Sequence, residues 1–254
     1  MCLPSNVLKV RFSKIYNPKV VSDIKIASVS DIHLCDSNSK DITSIVNILK
    51  RINPDYICFL GDFINYPIDI NSYIIVSQID FLIESASSIA PTFIILGNHD
   101  YIEVNKKHNV DIKALNFFKK FDSLENVYVL DDKIYFDDRI FIAGYTQKVD
   151  AYYGYNNLKK ENPEAFYQDL VKKHDFFPVL KQTVPTVFLT HSPEPIHDKT
   201  NEDLLKDYDL ILTGHYHNGC VPAFLDDILP KNMGLSTPRK RFFPRYVRGI
   251  RKLN

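Results

Sequence analysis

The sequence predicts an α/β fold with a substantially parallel sheet. Short segments rich in β-branched residues alternate with segments whose apolar residues recur every three or four positions. This alternation is typical of parallel strands connected by helices. The chain has 254 residues, of which 45% are hydrophobic, so it can bury one large core. No Ser/Gly-rich linker and no internal repeat divides it, and we therefore expect residues 1–254 to form a single domain.

The individual strands and helices are assigned from the same patterns. A hairpin is predicted over residues 133–145, with its turn at Asp137 and Asp138. Asp41 is a candidate N-cap for the first helix. The other predicted strands are 24–29, 56–60, 92–96, 126–130, 186–190 and 210–213, and the predicted helices are 42–52, 70–87, 110–121 and 163–174. Residues 146–162, rich in Tyr and Asn, are either a surface excursion or a loop beside a functional site.

The charge balance argues against a general nucleic-acid binder. The chain has 31 basic and 31 acidic residues, whereas such binders usually carry a clear basic excess. Seven of the basic residues lie in residues 239–254, here called the basic tail, so the first 238 residues carry an excess of seven acidic residues. The tail is either a surface segment that would pack against further strands of the second sheet, absent from this sequence, or an interfacial patch attracted to anionic lipid or a diphosphate substrate. The first interpretation is the simpler one.

The cysteines and the N-terminal sequence favour a reduced, cytoplasmic setting. Residues 1–14 lack the apolar core of a secretory signal, and no window approaches the roughly 18 apolar residues of a membrane span. The four cysteines are too scattered for a disulfide framework. They are Cys2, Cys35, Cys58 and Cys220. If the protein contacts the inner membrane face, we expect the basic tail to make that contact.

Polar residues follow five of the predicted strands, at the point where each strand ends. They are Asp31, His33, Asp62, Asn98, His99, Asp100, His191, His215 and His217. In an open α/β sheet the carboxyl ends of the strands line the ligand crevice. Each motif alone is weak, because a lone Asp-x-His or Gly-Asp is common in turns. Together they would be costly to bury unless a cation compensates them.

The donor types indicate the metal and the reaction. Nitrogen and oxygen donors suit Zn, Mn or Fe. Two ions held by this set would need a shared ligand, and a carboxylate is the natural bridge because both of its oxygens can bind. Such a pair, roughly 3.5–4 Å apart, can clamp a phosphoryl group and lower the pKa of a water between them. The residues therefore predict metal-assisted hydrolysis of a phosphoester or pyrophosphate.

The ordered motifs resemble those of the calcineurin-like metallophosphoesterases. They are Asp31-x-His33, Gly61-Asp62, Gly97-Asn98-His99-Asp100, His191 and Gly214-His215-x-His217, within residues 24–219. The resemblance implies an α/β/β/α sandwich of two sheets flanked by helices. It also implies one metal at Asp31, His33, Asp62 and His217, and a second at Asn98, His191 and His215, with Asp62 as the bridge.

The resemblance also assigns roles to residues that would not be principal ligands. His99 would contact the substrate phosphate, as would Asn98, and His99 would protonate or stabilise the leaving oxygen. Asp100 would either orient His99 or cap a helix. Tyr216, between two histidines, should point away from the metals if that segment is extended. The pocket walls are expected from residues 63–75, 101–112 and 146–165.

A narrower resemblance is to the branch of UDP-diacylglucosamine hydrolase-like and membrane-associated phosphodiesterases. It depends on the segments SDIHL, ILGNHD, LTHSPEP and GHYHNG. Members of that branch often begin with a membrane anchor, and none is expected from residues 1–14. The chain also has Asn218-Gly219-Cys220 where many members have GGQ. It ends at Asn254, soon after RYVRG, so the far edge of the second sheet is expected to be incomplete.

The leading hypothesis is a dinuclear phosphohydrolase that uses metal-activated hydroxide and His99 as general acid. Its substrate would be a phosphodiester or pyrophosphate, as a small molecule or linked to a lipid. The alternatives are a phosphomonoesterase, a cyclic-nucleotide phosphodiesterase and a non-catalytic metal-binding scaffold. A nuclease fits less well, because the body of the chain lacks a basic groove. A scaffold would be expected to have lost ligands or His99, and all are present.

Overall fold

The computed structural model describes residues 10–34, 42–103, 109–147, 149, 152, 182–193, 205–221, 225, 228–236, 242–243 and 248–252. Eight strands are formed in these ranges: β1 Ile26–Val29, β2 Tyr56–Phe59, β3 Thr92–Ile94, β4 Val127–Val129, β5 Ile134–Phe136, β6 Phe141–Tyr145, β7 Thr186–Thr190 and β8 Leu210–Thr213. They make two four-stranded sheets, ordered β1-β2-β3-β4 and β5-β6-β7-β8. The predicted two-sheet architecture is confirmed.

The first sheet is parallel throughout, and the second is parallel except for its hairpin. In the first sheet, Ile26 pairs with Tyr56, Ile57 with Thr92, and Thr92 with Val127. In the second, β5 runs antiparallel to β6, as the predicted hairpin requires, and β6, β7 and β8 are parallel. Parallel pairing brings the carboxyl ends of neighbouring strands to one edge of each sheet. The motif residues follow those ends.

Helices lie between the strands of the first sheet, as predicted. They are α1 Ile42–Ile52, α2 Tyr73–Ser87, α3 Asn98–Tyr101 and α4 Ile112–Lys119, with 3-10 helices at Pro67–Asn71 and Lys120–Ser123. A further 3-10 helix, His217–Cys220, follows β8. The predicted helix 70–87 begins later than expected, because Ser72 caps α2 by accepting the amide of Ile75 and the preceding residues form a 3-10 turn. The predicted helix 163–174 and the cap Asp41 lie outside the described residues.

Three apolar layers hold the two sheets and the helices together. One face of the first sheet packs on the helices, where Phe59 and Ile94 meet side chains such as Ile79 and Leu82 of α2. Its other face packs on the second sheet, where Cys58 and Phe93 join a second cluster with Ile142 and Leu189. The outer face of the second sheet buries a third cluster, formed by Phe141, Ala143, Tyr145, Phe188, Leu205 and Tyr208. This layering fixes the strand ends that carry the motifs.

The described cysteines differ in state. Cys58 is buried and free, whereas Cys220 is disulfide-bonded. One disulfide is not the framework that the scattered spacing argues against, and the reduced setting stays a prediction. Cys2 and Cys35 lie outside the described residues. Among the helices that the structure describes, none is long and apolar enough to cross a bilayer.

Part of the basic tail can be placed. The Arg248 guanidinium donates hydrogen bonds to the backbone carbonyls of Met233 at 2.7 Å, and of Leu229 and Pro230 at 3.0 Å each. This cation therefore stabilises a local turn. The cations at 239–241 and at 245 lie outside the described ranges.

Candidate metal centre

The motif side chains converge at the carboxyl ends of the strands. Three groups have potential ligand atoms that all lie within 4.8 Å of one another: Asp31, His33 and His217; His33, Asp62 and His99; and Asp62, His191 and His215. The first and third groups correspond to the two ligand sets that the family resemblance implies. Asn98, the remaining expected ligand, is buried at the start of α3, one residue after Gly97, which lies against Asp62 and His191.

Five of these residues have left-handed backbone conformations. Their φ angles are 58° at Asp31, 51° at His33, 57° at Asp62, 68° at His215 and 45° at His217. For residues other than glycine this conformation costs about 1–2 kcal/mol each. Backbone strain of this kind concentrates at functional sites, where the surrounding fold enforces it. The fold therefore holds the turns after β1, β2 and β8 in strained conformations that direct these side chains.

Asp62 occupies the middle of the cluster. It is fully buried, and its Oδ1 accepts a hydrogen bond from the His99 amide at 2.9 Å. Its Oδ2 lies 3.1 Å from His191 Nε2 and 3.6 Å from His33 Nε2. Burial alone would raise the pKa of the Asp62 carboxyl, but the neighbouring histidine rings, His191 first among them, lower it below its usual range. The carboxylate thus lies between both sides of the site.

The pKa values of His191 and His33 are shifted in opposite directions because the surroundings of the two rings differ. The Nδ1–H of His191 donates to the Leu60 carbonyl at 2.6 Å, which leaves Nε2 directed at Asp62. Burial lowers the pKa of His191, but the Asp62 carboxylate outweighs it and raises that pKa to about 9. Burial dominates at His33 and lowers its pKa to about 4. The lowered pKa of His33 favours the neutral ring, which is the form that binds metals.

The first ligand group brings nitrogen lone pairs unusually close together. His33 Nε2 and His217 Nε2 are 3.3 Å apart, and the two rings stack at 13° with 4.8 Å between their centroids. His217 Nε2 lies 3.8 Å from Asp31 Oδ1. The Asp31 carboxylate is held in place by the Ser30 hydroxyl, which donates to Oδ2 at 2.6 Å, and by the His215 amide at 3.1 Å. Such a convergence of donors requires a proton or a cation between them.

The chemistry of the donor set fits a bound cation. Asn98 Oδ1 is buried and accepts no hydrogen bond, although most buried polar atoms have a hydrogen-bond partner. Asp62 Oδ2 is also buried and has only the ring nitrogens of His191 and His33 beside it. Every candidate ligand supplies nitrogen or oxygen, which suits Mn, Fe or Zn. We conclude that the described residues can accommodate metal at this position, as the sequence predicts.

His99 is oriented by a backbone carbonyl rather than by Asp100. The Nδ1–H of His99 donates to the Asn65 carbonyl at 2.6 Å, and its ring meets the His33 ring edge to face at 4.8 Å. Asp100 is fully buried, and its carboxylate accepts the backbone amides of Asp62, Phe63, Ile64 and Gly97. The interpretation of Asp100 as a helix cap is therefore correct, and its carboxylate also fixes the loop that carries Asp62.

Some contributors to the site could not be read from the motifs. Tyr152 is buried beside the second ligand group, with its ring centroid 5.6 Å from that of His215 and 6.2 Å from that of His191. It belongs to residues 146–162 and supports their placement beside the site, although most of that stretch lies outside the described residues. The expectation for Tyr216 fails in its premise, since His215 and His217 are left-handed and the segment is not extended.

The chain is similar to a known family and to several known proteins. The family described as calcineurin-like phosphoesterase matches residues 24–219. An uncharacterized metallophosphoesterase of Campylobacter jejuni is 27% identical over 214 residues, covering 82% of this chain and 48% of the relative. One of Helicobacter pylori is 24% identical over 218 residues, covering 85% and 50%. The chain thus spans about half the length of these relatives.

Two solved structures are also similar. The phosphopantetheinyl hydrolase of Mycobacterium tuberculosis has a TM-score of 0.44 at 13% identity, over 76% of this chain and 83% of that one. The nuclease MPE of Pseudomonas putida has a TM-score of 0.28 at 12% identity, over 64% and 59%. These scores are too low for either likeness to support a conclusion about this chain.

Proposed function

Because this chain belongs to the calcineurin-like phosphoesterase family, we propose that it is a dinuclear metal-dependent phosphohydrolase that cleaves a phosphodiester or pyrophosphate bond. The position of Asp62 carries the proposal. It shares one group of potential ligands with His33 and another with His191 and His215. A carboxylate has two oxygens, so Asp62 can serve two cations at once.

The chain offers a complete ligand set for each cation. Asp31, His33, Asp62 and His217 would hold one, and Asp62, Asn98, His191 and His215 would hold the other. When bound, two Mn, Fe or Zn ions activate water and neutralise charge on a phosphoryl group. The remaining chemistry belongs to the protein side chains.

His99 is the proposed proton donor. Its Nδ1–H is engaged by the Asn65 carbonyl, so only Nε2 is available for the substrate. In the imidazolium form, Nε2 donates its proton to the oxygen of the departing group and the ring becomes neutral. General acid catalysis of this kind contributes about 10²–10⁴-fold. The hydrogen bond to Asn65 fixes the ring orientation in which this transfer occurs.

The test is a substrate and metal screen on protein of measured metal content. Bis-p-nitrophenyl phosphate, p-nitrophenyl phosphate, cyclic nucleotides and nucleoside-diphosphate lipids would each be offered with Mn, Fe or Zn. We expect turnover of a diester or of a pyrophosphate-linked substrate, and about two metal ions per chain by elemental analysis. Turnover of a monoester alone would favour the phosphomonoesterase. A fully metallated protein with no turnover would indicate the scaffold.

The lipid-linked substrate and the membrane contact are narrower parts of the proposal. The first is supported by the resemblance to the UDP-diacylglucosamine hydrolase-like branch. The second is supported by Phe242 and Phe243, which are exposed in the basic tail. Sedimentation with anionic vesicles at two salt concentrations tests the contact, because electrostatic attraction weakens with salt. Absent or salt-insensitive binding would contradict it.

A further inference from the structure

Two segments with exposed apolar side chains belong to elements that pack on α3, the helix that carries His99. Tyr66 and Ile68 are 46% and 69% exposed, and Val110 and Ile112 are 39% and 59% exposed. We call these four side chains the apolar rim. The first pair lies in and just before the 3-10 helix Pro67–Asn71, and the second at the start of α4.

Hydrogen bonds tie both halves of the rim to the segment that carries His99. The residue before Tyr66 is Asn65, whose carbonyl accepts the His99 Nδ1–H at 2.6 Å. Between Val110 and Ile112, the Asp111 amide donates to the Tyr101 carbonyl at 2.8 Å. The Tyr66 ring centroid is 6.3 Å from that of His99. The rim is therefore fixed beside the proposed proton donor.

The two halves of the rim also contact each other through their elements. The 3-10 helix packs on both α3 and α4, and the Lys113 ammonium is hydrogen-bonded to the Asn71 side chain. The elements that carry the two halves of the rim therefore lie next to each other and next to α3, which carries His99.

The rim side chains are not needed to anchor their elements to the core. The 3-10 helix already buries Pro67 and Ile70, and α4 already buries Ala114 and Phe118. Each element therefore has a core-facing side without its rim residues. Clustered exposed apolar side chains next to a reactive group are typical of a ligand-binding surface.

We propose that the apolar rim binds the departing group of the substrate, and that this group carries an alkyl or aryl chain. The inference rests on the proposed function, because His99 gives its proton to the oxygen of that group. The departing group must then lie on the His99 side of the site, where the rim is. The substrate class is a phosphoester of an apolar alcohol.

The test uses esters that differ only in apolar area. Primary alcohols from propanol to octanol are similar leaving groups, so bis(n-alkyl) phosphates and n-alkyl phosphates vary chain length with little change in chemistry. Released alcohol is measured by chromatography. Full burial would raise kcat/KM by up to about fourfold per methylene, and at a partly exposed rim we expect about twofold. Affinity for n-alkylphosphonates, which cannot lose an alcohol, should rise with chain length in calorimetry.

Variants at the rim identify where the chain is bound. Ile68→Ser and Ile112→Ser should flatten the dependence of kcat/KM and of phosphonate affinity on chain length. Phe136→Ser is the matched control, since Phe136 is 70% exposed but pairs with Phe141, at the strand-start end of the second sheet. It should keep the dependence of the unmodified protein.

The outcomes separate this inference from the proposed function. Hydrolysis of all chain lengths at the same kcat/KM would overturn the apolar rim as a binding surface and leave the phosphohydrolase in place. The same follows if the rim variants and Phe136→Ser respond alike. No hydrolysis of these esters, or of the diesters and pyrophosphate-linked substrates of the screen, by fully metallated protein would overturn both.

Discussion

Replacing Gly97 by alanine should damage the metal centre through a single methyl group. A Cβ at this position would overlap Asp62 Oδ1, and it would lie 2.6 Å from the Asp62 amide nitrogen and 2.7 Å from His191 Cε1. The φ angle of Gly97 is −95°, which alanine adopts without strain. The effect of the substitution is therefore purely steric and falls on two proposed ligands at once.

The size of the effect follows from these distances. Carbon atoms in good contact are about 3.5–4.0 Å apart, so the methyl group requires shifts of about 1 Å. Rotation of the Asp62 side chain relieves only part of the overlap, because its backbone nitrogen is also too close. Overpacking of this kind costs about 1–3 kcal/mol of unfolding free energy. A misplacement of about 1 Å at an active site can cost about 100-fold in rate.

The assay compares Gly97→Ala with Gly144→Ala. A Cβ on Gly144 would overlap Leu130 Cβ and the Leu130 carbonyl, and lie 3.1 Å from Ile95 Cγ2, all between the sheets. Both variants should lose thermal stability, but only Gly97→Ala should lose metal content, measured by elemental analysis, and about 100-fold in turnover. Unchanged metal content and turnover in Gly97→Ala would refute the argument.

Three further substitutions test separate parts of the structure. His99→Ala should keep its metal content and lose about 10²–10⁴-fold in turnover, as expected of a general acid; loss of metal would contradict that role. Asp62→Asn should lower the metal content measured by elemental analysis. A full complement of metal in this variant would argue against Asp62 as a ligand shared by two ions. Burial raises the pKa of Asp209, but its hydrogen bonds from Lys19 at 2.8 Å and from Thr186 at 2.8 and 2.9 Å lower it overall. The carboxylate therefore stabilises the fold above the usual aspartate pKa of about 3.9, and this contribution is lost as the pH falls below it. Asp209→Ala should cost about 1–3 kcal/mol in urea unfolding at pH 7 and less at pH 3, and an equal cost at both values would contradict the assignment.

The strand ends were predictable because strand and helix segments differ in the spacing of their apolar residues, and because parallel pairing places the carboxyl ends of the strands at one edge of the sheet. Short β-branched segments locate the strands, and parallel pairing sends their carboxyl ends to one edge. The position of Asp31, Asp62 and His191 in one crevice follows from those facts. Predicted and observed strand bounds differ by at most two residues, and β7 and β8 agree fully.

The orientation of the histidine rings of the candidate site could not be predicted. His99 and His191 are held by the carbonyls of Asn65 and Leu60, and a backbone carbonyl has no signature in the sequence. Tyr152 comes from an irregular stretch with no motif, so only the folded chain shows it beside His215.

The left-handed residues of the metal centre constrain how this protein could be engineered. Glycine adopts such conformations freely, whereas aspartate and histidine do not. A screen that rewards heat resistance alone would thus tend to select glycine at these five positions, and every such substitution would remove a proposed metal ligand. At these positions, thermal stability and metal binding favour different residues.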